Sequence, residues 1–305
     1  MGRDHGAAHG TAAGNRRGRL ALVLGLTLAV LVAEVAGAVV SGSLALLADA
    51  GHMATDAVGI ALALTAVTLA QRPARGRRTF GWQRAEILAA VANGLLLLAV
   101  AGYVVVEAVR RIGDPPEIAS GLVLAVGAVG LAVNLVSLAI LHQGRGESLN
   151  LRGAYLEVLA DALGSVAVVV AALVIAVTGW TPADTLASLA IGALVLPRAW
   201  HLLREALDVL LEAAPRGVDL ADVRRHVLGV EGVIDVHDLH AWTITSGSPV
   251  LSAHVVVTDE ALEAGHGGQV LDALCACLGE HFDVEHCTFQ LESPAHSAHE
   301  APVHD

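Results

Sequence analysis

Lysine is absent from all 305 residues, so every one of the 18 basic side chains is arginine. Against 30 Asp and Glu, the formal net charge is −12. That surplus of carboxylate excludes a nucleic-acid partner and favours cations. Charge of either sign is scarce: 16% of residues are charged and 55% hydrophobic, with a mean hydropathy of +0.64. A soluble domain is about a quarter charged, so this composition points to a lipid bilayer. Cysteine is limited to Cys275, Cys277 and Cys287, an odd number without a paired framework. A disulfide-stapled exported domain is thereby excluded, and a reducing compartment fits. An HExxH motif is missing too: Met53 follows His52, so no general-base glutamate stands where a zinc protease needs one.

The scarce charge is divided unevenly. Residues 1–200 hold 14 Arg and 12 Asp or Glu. Residues 201–305 hold 4 Arg and 18 Asp or Glu, together with eleven of the fifteen His. In the first part, residues 1–19 are polar, Gly-rich and Arg-tipped and read as a disordered tail bearing His5 and His9. Six apolar segments follow, at 20–40, 44–70, 85–108, 118–141, 153–178 and 183–203. Each is long enough for a hydrocarbon layer of about 30 Å. The first is preceded by Arg16, Arg17 and Arg19 like a signal peptide, but its apolar run is longer and five more spans come after it. Arginine clusters at 72–84 and at Arg145, Arg152, Arg198 and Arg204 put those ends, and both termini, in the cytoplasm. Arg110 and Arg111 break that pattern.

Beyond residue 211 the periodicity changes. A short helix opened by Asp219, two alternating strands at 232–244 and 249–257, a helix over 261–278 and a strand over 284–291 give an αββαβ order. The expected architecture is a six-helix transmembrane domain (20–211) followed by a small α+β domain (212–293) and a His-bearing tail (294–305).

Two pairs of ionisable residues lie inside apolar spans, where each costs about 2.5–3.5 kcal/mol. His52 and Asp56 form one pair and Glu157 and Asp161 the other, each four residues apart. That spacing stacks both members on one helix face. Two such helices supply one imidazole and three carboxylates, a set that zinc accepts in a tetrahedron. Ligands must be deprotonated, so metal entry displaces protons, as a metal/proton exchanger requires. Interhelical hydrogen bonding or a metal-free proton relay would use the same pairs. Asp49 either guides ions inwards or caps a helix, and Glu34 and Glu107 serve the pathway or the packing. Asn93, Asn134 and Ser137 are open in the same way.

Four motifs, ADAGHMATDA (48–57), FGWQRAEILAA (80–90), YLEVLADALGS (155–165) and VHDLHAW (236–242), resemble the cation diffusion facilitator family. The resemblance runs from about residue 20 to residue 292. It implies a homodimer of six-helix transmembrane domains, each with a metallochaperone-like cytoplasmic domain, in the inner cell membrane. The implied activity is proton-coupled efflux of divalent cations, zinc first and cadmium or cobalt close behind, by alternating access. The transport ligands would be His52, Asp56, Glu157 and Asp161. Zinc-transporting members commonly place His where this chain has Glu157, and an oxygen donor widens acceptance towards harder metals. In the cytoplasmic domain the resemblance implies structural or regulatory zinc on His237, His254 and His286, with Glu292 and His266 behind them. His240, three residues from His237, faces the other way on a regular strand. Cys287 is a better ligand candidate than Cys275 and Cys277, whose i, i+2 spacing on a helix turns them apart. The Arg-rich 72–84 loop either holds the dimer through carboxylates of the acidic domain or anchors lipid head groups. A proton-coupled antiporter of organic cations is the alternative, but it leaves His52 and the cytoplasmic histidines unexplained.

Overall fold

The computed structural model describes residues 6–113, 116–142, 149–245, 247–263, 266–282 and 286–300. Six long helices come first: α1 (Gly6–Ser41), α2 (Leu44–Ala70), α3 (Ala85–Arg111), α4 (Ser120–His142), α5 (Leu149–Thr178) and α6 (Pro182–Leu210). All six are long and apolar enough to cross a membrane, which makes this a multi-pass membrane protein. Helix α1 extends into the stretch expected as a tail, where Ala7, Ala8, Ala12 and Ala13 have the highest helix propensity. His5 lies outside the described residues.

The chain divides into two compact units, Met1–Ala61 with Asn93–His201 and Leu62–Ala92 with Leu202–Asp305. In the first unit, α4 packs against α1 and α5 through small residues. A Cβ at Gly127 would meet Val168 at 3.1 Å, and one at Gly130 would meet Glu34 Oε1 at 2.7 Å. Leu44, Leu46, Val104, Val123 and Val168 fill the core, whereas Val32, Val39 and Val177 are at least 70% exposed, as a lipid-facing surface requires. Buried Asp184, at the start of α6, caps α2. It accepts from the Leu44 amide at 2.7 Å, the Ala45 amide at 3.3 Å and the Ser43 hydroxyl at 2.5 Å. Arg111 donates to Glu107 Oε1 at 3.0 Å and to the Gly42 carbonyl at 2.8 Å. The arginine that breaks the charge pattern and the carboxylate in the third span thus neutralise each other at a helix end.

The second unit is built on a three-stranded sheet of order β1-β2-β3, comprising β1 (Val233–Thr243), β2 (Pro249–Val257) and β3 (His286–Glu292). β1 and β2 are antiparallel, and β2 and β3 are parallel. Helices α7 (Leu220–Leu228), α8 (Asp259–Leu262), α9 (His266–Phe282) and α10 (Pro294–Ser297) complete it. Asp219 caps α7 as expected, accepting from the Ala221 amide at 2.9 Å. Val223, Val236, Leu251, Val255, Leu274 and Leu278 form the core between sheet and helices. The 72–84 loop belongs to this unit. Its Arg84 pairs with Glu212 at 2.9 Å, and the Arg78 guanidinium sits 3.5 Å over the Trp82 ring.

One register shift corrects an expectation. The ladder slips between His237 and His240, pairing His237 with His254 and His240 with Ser252. Asp238 takes φ 46° in that bulge, a conformation Asp tolerates. Because His254 and Ser252 share a face of β2, the bulge puts His240 on the same face as His237.

Candidate metal centres

Helices α2 and α5 present the two predicted pairs towards each other. His52 Nε2 lies 3.4 Å from Asp56 Oδ2 and 3.9 Å from Asp161 Oδ1. His52 and Asp161 are buried, and Asp56 is nearly so. Donor atoms of these three residues all fall within 4.8 Å of one another, close enough to converge on one ion. Glu157 stands on the same face of α5 but is held by a residue that sequence reasoning treated only as a topology signal. Arg198, on α6, places Nη2 2.9 Å from both Glu157 oxygens and 3.8 Å from Asp56 Oδ1. In the sequence Arg198 reads as one of the arginines that end the last span, but α6 runs on to Leu210 and carries Arg198 in its interior.

A second polar chain runs through the same bundle. Asn134 donates to Ser165 Oγ at 3.2 Å, and Ser165 donates to Asp49 Oδ2 at 3.3 Å. Gly164 lets α2 approach here, since a Cβ on it would collide with Asp49 Oδ1. Asp49 is therefore tied to α5 one turn away from the ligand pairs, and fixes their register. Glu34 is 0% exposed, and neither of its oxygens has a hydrogen-bond partner among the described residues. Asn93 packs against Gly59, where a Cβ would stand 2.6 Å from its amide nitrogen.

The second centre lies on the outer face of the sheet. His237 Nε2 is 3.2 Å from Glu292 Oε2, and His254 Nδ1 is 2.9 Å from Glu292 Oε1. Glu300 joins them, 3.5 Å from His254 Nδ1 and 3.9 Å from His237 Nε2. All four residues offer donors within 4.8 Å of one another, two imidazoles and two carboxylates. Burial opposes ionisation of Glu292, but hydrogen bonds from Gln290 and His237 and the nearby histidine charges hold its carboxyl below the usual range. A site that keeps its carboxylate ionised fits a cation.

Two of the predicted cytoplasmic ligands sit elsewhere. His266 is exposed at the start of α9, and His286 stacks edge-on against Phe80, with ring centres 6.2 Å apart. Glu300 was missed because it follows Pro294 in a stretch read as tail; α10, capped by Ser293, turns that stretch back towards β2. Cys287 faces Cys275 with the sulfurs 3.2 Å apart and does not join the cluster. Burial and the Cys275 thiol push its pKa up to about 11.

Six helices long and apolar enough to cross a membrane, with a carboxylate-rich cluster between two of them and a sheet domain carrying a second set of candidate ligands, fit the class of metal transporters. Residues 20–211 match the family described as the cation efflux transmembrane domain, and residues 215–294 match the cytoplasmic domain of cation efflux proteins. The chain belongs to the cation diffusion facilitator family. It is 47% identical over 273 residues to the cation efflux system protein CzcD of Alcaligenes sp. (strain CT14), covering 90% of this chain and 85% of that protein. The zinc transporter ZitB of Escherichia coli (strain K12) is 41% identical over 281 residues, covering 91% and 88%. The cadmium, cobalt and zinc/H(+)-K(+) antiporter of Bacillus subtilis (strain 168) is 40% identical over 269 residues, covering 88% and 86%.

Proposed function

We propose that this protein exports divalent metal cations from the cytoplasm in exchange for protons, with zinc as the first substrate and cadmium or cobalt close behind. The observation that carries this reading is the convergence of His52, Asp56 and Asp161 from two facing helices inside the span region. Buried ionisable side chains cost free energy in a bilayer, so a cluster of them is retained for a cargo that repays it. Glu157, one turn from Asp161, is the fourth ligand once released from Arg198. Each carboxylate that meets the metal must first give up any proton it carries, which couples ion to proton. Support for the substrates comes from relatives whose names specify zinc alone or cadmium, cobalt and zinc, one of them as an H(+)-K(+) antiporter.

In this reading α2 and α5 carry the site, and rocking of the helices around it opens it to one side of the membrane at a time. The Arg-rich 72–84 loop, the sheet domain and both termini face the cytoplasm, following the arginine distribution. The His237/His254/Glu292/Glu300 cluster binds a regulatory or structural zinc ion, and the cytoplasmic domain joins two copies into a homodimer. The deciding experiment is uptake into proteoliposomes under an inward metal gradient with a pH dye inside. Zinc entry opposed by proton flow, lost in Asp56→Ala and Asp161→Ala, is the expected result. Proton flow without metal dependence would overturn it.

A further inference from the structure

Arg198 stands where the fourth transport ligand would meet its metal. A single nitrogen, Nη2, lies 2.9 Å from both oxygens of Glu157 and 3.8 Å from Asp56 Oδ1. Among the described residues, the donors that already converge are His52, Asp56 and Asp161, without Glu157. The carboxylate left out is the one the guanidinium occupies. We infer that Arg198 is a built-in competitor of the cargo: it holds Glu157 while the site is empty, and metal loading exchanges the guanidinium for the ion. This rests on the reading of the site as a transport centre, and adds a residue outside the four ligands that sets affinity and release.

Two physical arguments point the same way. A carboxylate whose oxygens are both engaged by a charge-assisted donor is a weaker metal ligand until that bond loosens, so the pair subtracts from metal affinity. A fixed positive charge beside Asp56 also repels a divalent cation directly. Both are reversed on release, because the guanidinium recaptures Glu157 as the ion leaves and so opposes trapping of tightly bound metal. An arginine suits this role better than a lysine, since its charge is never lost, whereas a partly buried lysine can give up its proton. The pair depends on a carboxylate at position 157: a neutral imidazole there would offer one uncharged acceptor nitrogen in place of two charged oxygens, a weaker hold for the guanidinium.

Zinc uptake by the full-length protein in proteoliposomes separates the possibilities. Removing a charge-assisted bond, Arg198→Gln lowers the KM for zinc by about tenfold and lowers maximal turnover with it, because release slows. Arg198→Lys, which keeps the charge as a point, falls between the two. In the Glu157→Gln background, Arg198→Gln changes KM much less, because the competitor acts through that carboxylate. A raised KM in Arg198→Gln, or an unchanged effect in the Glu157→Gln background, overturns the inference in favour of a packing strut. A measurement on the wild-type chain reads the exchange without mutation. Phenylglyoxal modification of the Arg198 peptide, followed by mass spectrometry, accelerates when zinc is added, and no acceleration counts against the exchange. Uptake that survives Asp161→Ala strikes at the transport site itself and not at Arg198.

Discussion

In the proposed transport site, an oxygen donor at position 157 would change which metals are accepted. Three carboxylates and one imidazole form a harder set than two of each, and harder sets tolerate cobalt and manganese alongside zinc. Glu157→His therefore lowers cobalt and manganese uptake relative to zinc by about tenfold, as read from competition in proteoliposomes. An unchanged ranking removes residue 157 as the selector. Cys287 gives a second test, on pH. Its thiol is held above the ordinary 9.0, at about 11, by burial and by Cys275. The folded state thus binds this proton more tightly than the unfolded chain does. The resulting stability is fully present below pH 9 and disappears as pH rises through about 11. Iodoacetamide should label Cys287 slowly at pH 8, with a rate still climbing beyond pH 9, as read by peptide mass spectrometry. Saturation by pH 9 contradicts the shift.

Among the elements, α2 is the one on which the site depends most, and two contacts fix it. Asp184 caps its start with three hydrogen bonds, and Asp49 abuts Gly164 of α5. Asp184→Ala strips a buried cap and leaves the Leu44 and Ala45 amides without their acceptor, costing about 2 kcal/mol. Thermal unfolding in detergent should show that loss, while the KM for zinc in the surviving folded fraction stays near wild type. This division of labour was only partly legible in the sequence. The spans were readable because about 20 apolar residues in a row have few other uses, and the ligand pairs because four-residue spacing stacks side chains. Asp184 has no signal of its own in the sequence, since a cap that reaches across to another helix leaves no local pattern. Glu107 and Arg111 share that four-residue spacing and pair as it predicts, whereas the further bond from Arg111 to the Gly42 carbonyl needs the folded bundle. His240 was assigned to the wrong face because nothing before Asp238 announces a bulge.

At the scale of the whole molecule, the two proposed cation centres lie in two different compact units, so each should report binding separately. An ion that binds only the folded state stabilises it by about 2.7 kcal/mol when its concentration is a hundred times Kd. Zinc added to metal-stripped full-length protein therefore raises the unfolding temperature, and a chelator reverses the rise. In an Asp56→Ala/Asp161→Ala background the remaining shift belongs to the sheet cluster. There Glu292 bridges both histidines, while Glu300 approaches from the C-terminal segment at 3.5 and 3.9 Å. Removing either carboxylate leaves three donors, but Glu292 is fixed on β3 and reaches the two histidines at 3.2 and 2.9 Å, whereas Glu300 stands farther from both. Glu292→Gln should abolish the residual zinc shift, and Glu300→Gln should weaken apparent affinity by about tenfold, the scale of a lost supporting ligand. Equal losses in the two variants would mean that the C-terminal segment closes the site as firmly as β3 does. No loss in Glu300→Gln would return that segment to the tail its composition resembles.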